Sequence, residues 1–141
     1  MRKLLLLTLA AGWLLQGCLY RQPAPADKDC KKILTAAPWR LVAIDNRPVT
    51  LPKPVTLRID THGDLNGFGG CNRYFGHVKI FNHALHFFGV GSTRKFCRGE
   101  PGRVERALFQ MLSRNRWWQL DGRRLIVFDD THRLVFEPFH D

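Results

Sequence analysis

From residue 39 onward the chain alternates apolar and polar side chains in short runs, the period of strands half-buried in a sheet. Trp39, Leu41 and Ala43 share one face of a first strand over Trp39–Ile44, which runs into the turn-rich Asp45-Asn46-Arg47-Pro48. Pro52 and Pro54 keep the next residues out of central pairing. Val55, Leu57 and Ile59 then alternate with Thr56, Arg58 and Asp60, and Thr61-His62-Gly63-Asp64 turns the chain towards a partner strand at 65–68. Further strands are predicted at 77–81, 84–88, 117–120, Arg124–Phe128 and 133–137, parted by Asn82-His83, Asp121-Gly122 and Asp129-Asp130. The aspartates at 60, 64, 129 and 130 are read as turn residues, and Gly67, Gly69 and Gly70 suit a bulge or tight bend.

One stretch departs from this rhythm. Over 101–113, Val104, Leu108, Met111 and Leu112 fall on one helical stripe behind Glu100 and Pro101. The expected fold class is therefore α+β, a small antiparallel and strongly curled sheet with one amphipathic helix packed on it. Its core is expected to hold Trp39, Leu57, Ile59, Phe87, Leu108 and Leu125.

The residues before this domain have a different character. Arg2 and Lys3 precede an apolar run at 4–15, and Leu15-Gln16-Gly17-Cys18 resembles a bacterial lipoprotein cleavage box, which makes Cys18 the lipid attachment site. The run is shorter than the about 20 residues a spanning helix needs. Residues 1–17 are then a lipoprotein signal peptide, 18–37 a flexible tether rich in proline and charge, and 38–141 the folded domain. A flexible tether of that length holds the domain about 25 Å from its anchor. Leu19, not Asp, follows the cysteine, a residue that permits outer-membrane sorting in lipoproteins resembling this one. The expected location is the outer membrane, facing the periplasm.

Charge narrows the partners. The chain carries a net +10, and loss of Arg2 and Lys3 leaves about +8. For an exported monomer the acidic neighbours are lipid head groups, lipopolysaccharide or the wall, and nucleic acid is excluded by compartment. Solvated cations that merely keep a tethered domain soluble are the simpler explanation of the same charge.

Gly70-Cys71-Asn72-Arg73-Tyr74-Phe75-Gly76, then Ser92-Thr93-Arg94-Lys95-Phe96-Cys97, then Glu105 and Phe109 ahead of Leu112, resemble the META domain of HslJ-like lipoproteins. The likeness extends over nearly the whole mature chain, from the cleavage box to the closing strands. Lys95 departs from it, since relatives carry an apolar residue there, often methionine. The resemblance implies a small β-rich α+β fold, an envelope setting and an association with heat shock and other stress. It brings no catalytic residues and no cofactor.

Three thiols remain once Cys18 is acylated. In an oxidising compartment Cys71 pairs with Cys97, because both fall inside the domain and Cys30 falls in the tether; two separate buried thiols, or a bridge from Cys30, are the alternatives. A Cys71 nucleophile would need one of the six histidines as base. The glycines before Cys71 and Asn72-Arg73 after it already describe a turn. His77, His83 and His86 have no zinc-type spacing. The candidate binding surface is Asn72, Arg73, Arg94, Trp117 and Trp118: the two arginines would converge on one rim for an anionic group, and the tryptophans would form a platform beside Arg114, Arg116, Arg123 and Arg124. In a strand only one of those two rings faces inward. The function expected is a lipid-anchored, non-enzymatic stress-response accessory or binding module. A binding module with a small-molecule or peptide pocket inside the curled sheet, and an exported Cys/His enzyme, are the alternatives.

Overall fold

The computed structural model describes residues 27–140; the expected signal peptide, Cys18 and the first part of the expected tether lie outside them. In chain order the elements are α1 (Asp27–Thr35), β1 (Trp39–Ile44), β2 (Arg47–Pro48), β3 (Thr56–Ile59), β4 (Asp64–Phe68) and β5 (Arg73–Phe81). They continue with β6 (Ala84–Ser92), α2 (Gly99–Met111), β7 (Asn115–Asp121), β8 (Arg124–Phe128) and β9 (Arg133–Pro138).

Consecutive strands from β3 to β9 pair antiparallel, and β1 pairs with β3 on one edge and β9 on the other. The last link runs from Trp39 opposite Pro138 to Ile44 opposite Leu134, with a bulge between Leu41 and Ala43. The sheet therefore closes on itself as an eight-stranded barrel of β1 and β3–β9, with the two-residue β2 added at the end of β1. The expected α+β class with a curled antiparallel sheet is compatible with this and is made more specific, a closed barrel; the expectation of one helix is corrected to two among the described residues. Closure depends on pairing the first strand with the last, and no local period encodes that contact.

The second correction concerns the tether. Residues 27–35 of that segment are helical, and Cys30 and Leu34 are fully buried in the core. Cys30, Ile33 and Leu34 form an i, i+3, i+4 stripe inside a short, charged segment, with Lys32 in the last turn to match the helix dipole. Packing against β3 and β5 stabilises a helix too short to persist alone. The indole N–H of Trp39 donates to the Leu34 carbonyl at 3.1 Å, tying α1 to the first strand.

Two strands run longer than their apolar alternation implied. β5 begins at Arg73 and β6 continues to Ser92, paired from Tyr74–Ser92 to Phe81–Ala84 around a bulge. Glycines at 76, 89 and 91 hide the alternation there. β6 meets β7 only at residues 84–86, and α2 sends Val104, Leu108 and Met111 into the same core as the barrel. All six expected core residues are buried. The inward positions are filled by side chains, Trp118, Tyr74 and Phe136 being the largest of those fully buried. The polar atoms of these rings meet backbone: Tyr74 donates to the Thr56 carbonyl at 2.7 Å and Trp118 to the Asn82 carbonyl at 2.9 Å. Burial pushes the Tyr74 phenol well above its usual range.

Because Leu34 is enclosed, Leu34→Ala is expected to lower unfolding stability by about 3 kcal/mol. Urea unfolding of the full chain measures this; a loss within experimental error would return α1 to the role of tether.

Candidate functional site

The two halves of the cysteine motif meet at one corner. Gly70, at φ 117°, turns the chain from β4 into Cys71, and Cys71 is bonded to Cys97 with their Cα atoms 5.9 Å apart. Cys97 lies just before α2, and its carbonyl rests on Gly102, where a Cβ would stand 2.1 Å from that oxygen. Only glycine allows so close an approach. The expected Cys71–Cys97 pairing is present. Cys30 is buried apart from it in α1.

Glu105 completes the corner from α2. One carboxylate oxygen accepts the backbone N–H groups of Cys71, at 3.0 Å, and Asn72; the other accepts the Asn72 side-chain amide at 2.7 Å. The Asn72 side chain also bonds the Lys95 backbone on both sides, accepting from its N–H at 2.7 Å and donating to its carbonyl at 3.0 Å. Its oxygen takes the Thr93 hydroxyl as well, at 2.8 Å. Glu105 and Asn72 are both buried. These contacts hold the β4–β5 turn to α2 through Glu105 and to the strand–helix connection through Thr93 and Lys95, so the corner is a clasp. Cys71, as a disulfide sulfur, has no thiolate for nucleophilic attack.

The candidate binding surface is not one surface. Asn72 is consumed by the clasp, and Trp118 is 2% exposed in the core, so neither can meet a ligand. Arg73 and Arg94 are exposed and lie close along the chain pairing, since the Thr93 N–H donates to the Arg73 carbonyl at 3.0 Å. Trp117 is exposed but stands beside Ala84, at the opposite end of the β5–β6 hairpin from Arg73. The pocket expected inside the curled sheet is occupied by the core. The depressions lie outside the barrel, among them a groove of about 340 Å³ between β6 and the end of α2. Glu105 entered the sequence reading only through the family pattern, because a single glutamate on a helix carries no signal of burial. An outward row on β5, Phe75, His77, Lys79 and Phe81, was legible from alternation once the strand was extended back to Arg73.

A second polar cluster lies where β8 turns into β9. One Asp129 oxygen accepts the N–H groups of Thr131 and His132 and the Thr131 hydroxyl. The Thr131 N–H bond, aided by His132 and by Arg116 against the opposing effect of burial, holds the Asp129 carboxyl down at about 2. Asp45 reaches the same turn, accepting from Arg133 N–H at 2.8 Å and meeting His132 at 2.9 Å. Arg116 is buried and donates to the Gln110 carbonyl of α2 at 2.6 Å, with Asp129 at 3.4 Å. These groups make turn geometry and strap α2 to the barrel. Among the described residues no three His, Cys, Asp or Glu side chains are grouped to hold a metal.

A closed antiparallel barrel clasped to a crossing helix by a disulfide and a buried carboxylate is thus the class of domain in hand. Residues 32–140 match the family model of the META domain, and the chain belongs to that family. In fold it is similar to a protein solved by NMR, with a TM-score of 0.67 at 21% identity over 77% of this chain and 93% of that one. An NMR structure of a protein from Burkholderia xenovorans is similar too, with a TM-score of 0.62 at 26% identity over 84% and 92% of the two chains. A search of curated proteins found no match.

Two outcomes follow for the polar clusters. Glu105→Ala strands three buried donors, so a stability loss of about 3 kcal/mol is expected by denaturant unfolding at neutral pH. Asp129 has a folded pKa below the ordinary 3.8. Its contribution is therefore complete above that value and lost as pH falls through about 2. Unfolding measured across this acid window is expected to show a shallower pH dependence in Asp129→Asn than in the parent.

Proposed function

We propose that this META domain protein is a lipid-anchored, non-enzymatic accessory or binding module of the bacterial envelope, of the HslJ-like type associated with heat shock. It is held at the outer membrane through Cys18 and faces the periplasm. The observation that carries the reading is Leu15-Gln16-Gly17-Cys18 behind a charged start and a short apolar run. The Cys71–Cys97 disulfide supports export, because such a bond persists in oxidising compartments. A barrel interior filled with side chains, and motif residues spent on a clasp, favour a role carried out by the outer surface.

In cells, the parent chain is expected in the membrane fraction with an acylated Cys18, and globomycin is expected to accumulate its unprocessed precursor. Cys18→Ser is expected to release the domain from the membrane fraction or block its processing. Mass spectrometry of the purified parent decides the matter: an unmodified Cys18 on a full-length chain overturns the anchor.

A further inference from the structure

Alternation along β5 buries Tyr74, Gly76 and Val78, so Phe75, His77, Lys79 and Phe81 point out of the barrel. Pairing sets Phe88 opposite His77 and His86 opposite Lys79, and it places Ala84 between Phe81 and Trp117. The result is a ladder on the outer face of β5, β6 and β7 in which rows of rings alternate with a basic row. Phe75 is 61% exposed, Phe81 58%, Phe88 39% and Trp117 56%. The Phe88 ring stacks on His77 at 5.3 Å and on His86 at 5.8 Å, with the Lys79 ammonium 5.5 Å from its centre. β5 and β6 contain no acidic residue. The carboxylates of this face are Asp64 of β4, held by His77 at 2.9 Å, and Asp121 at the far end of β7.

Folding does not require these rings outside. Each outward position would accept a polar side chain at little cost, and four large exposed rings on adjoining strands, parted by one basic row, are the kind of amphipathic surface that marks an interaction. Three are phenylalanine, with no hydrogen-bonding atom, so a glycan would engage only their faces, whereas the boundary of a hydrocarbon layer accepts the whole ring. Trp117 has the amphipathic ring that favours the head-group level. Lys79 between the rings meets anionic phosphates, and the net charge, +10 for the full chain and about +8 once Arg2 and Lys3 are lost, draws the domain towards a negative surface. We infer that the outer face of β5–β7 docks on an anionic phospholipid surface, the rings entering the head-group boundary and the cations meeting phosphate. This deepens the proposed envelope role but holds with or without acylation at Cys18.

The test uses the full-length chain carrying Cys18→Ser, so that no acyl group contributes. It is mixed with vesicles of phosphatidylcholine alone, or of equal parts phosphatidylcholine and phosphatidylglycerol, and binding is read by co-sedimentation. The expected result is salt-sensitive binding to the anionic vesicles that falls about tenfold in Phe81→Ser/Phe88→Ser/Trp117→Ser. Thermal unfolding of that variant is measured beside it. Lys79→Gln keeps every ring and is expected to weaken the same binding about fivefold. All the chains share one N-terminal segment, so differences among them report the face alone. Equal binding of the parent and both variants, equal binding of the parent to the two vesicle types, or retention of the parent by isolated wall glycan and not by lipid would each overturn the inference. Acylation of Cys18 in cells is read separately, and its failure leaves this result unchanged.

Discussion

The antiparallel ladder between β1 and β9 is the constraint on which the rest depends. Without it the strands would form an open sheet with two edges of unpaired backbone groups. With it, eight strands enclose an interior just wide enough for side chains to fill, and every inward position becomes core. Trp39, Tyr74 and Trp118 can be inside because their polar atoms reach backbone carbonyls at 3.1, 2.7 and 2.9 Å. A barrel packed in this way has no room for a ligand at its centre. Whatever the domain recognises must meet its outside.

The long connection from β6 to β7 is one weak point of such a barrel, since those strands share three paired positions, as β1 and β3 share two. α2 fills the gap, and two different interactions fix it to the β4–β5 turn. The disulfide closes a loop of 26 positions, worth about 3.5 kcal/mol in the chain-entropy model. Glu105 does the same work by hydrogen bonds, its charge balanced by three N–H donors. One link depends on oxidation and the other does not. The corner therefore has a hydrogen-bonded core that is already complete in geometry where the covalent bond is made.

The sequence disclosed most where a residue's neighbours along the chain decide its fate. Val55, Leu57 and Ile59 alternate cleanly, β1 and β8 have the expected limits, and Val104, Leu108 and Met111 face the core as their spacing implied. It disclosed less where tertiary contact overrides local character. α1 was concealed because Cys30, Ile33 and Leu34 are a short stripe among charges, and only packing makes a helix of it. β5 and β6 were cut short because Gly76, Gly89 and Gly91 erase the apolar signal while the ladder continues through them. The candidate surface failed for the same reason. Asn72 and Trp118 look functional as residue types, yet one sits in a clasp and the other in the core.

Asn72 and Arg73 show how this domain divides its labour. They are adjacent in the cysteine motif, but the chain enters a strand between them, so one side chain is drawn inward and the other is sent out. Asn72 then spends its polar atoms on Thr93, Lys95 and Glu105, and losing it would unfasten the fold. Arg73 has an exposed side chain, and the fold would tolerate its replacement. The same division runs along β5, where Tyr74 and Val78 build the core while Phe75, His77, Lys79 and Phe81 stand outside it in contact with water. The motif that identifies the family thus accounts for architecture, and the chemistry left over for an external partner lies on the outward positions between its residues. Among those positions the rings of β5–β7, with Lys79 and His86 between them, put large apolar side chains in contact with water.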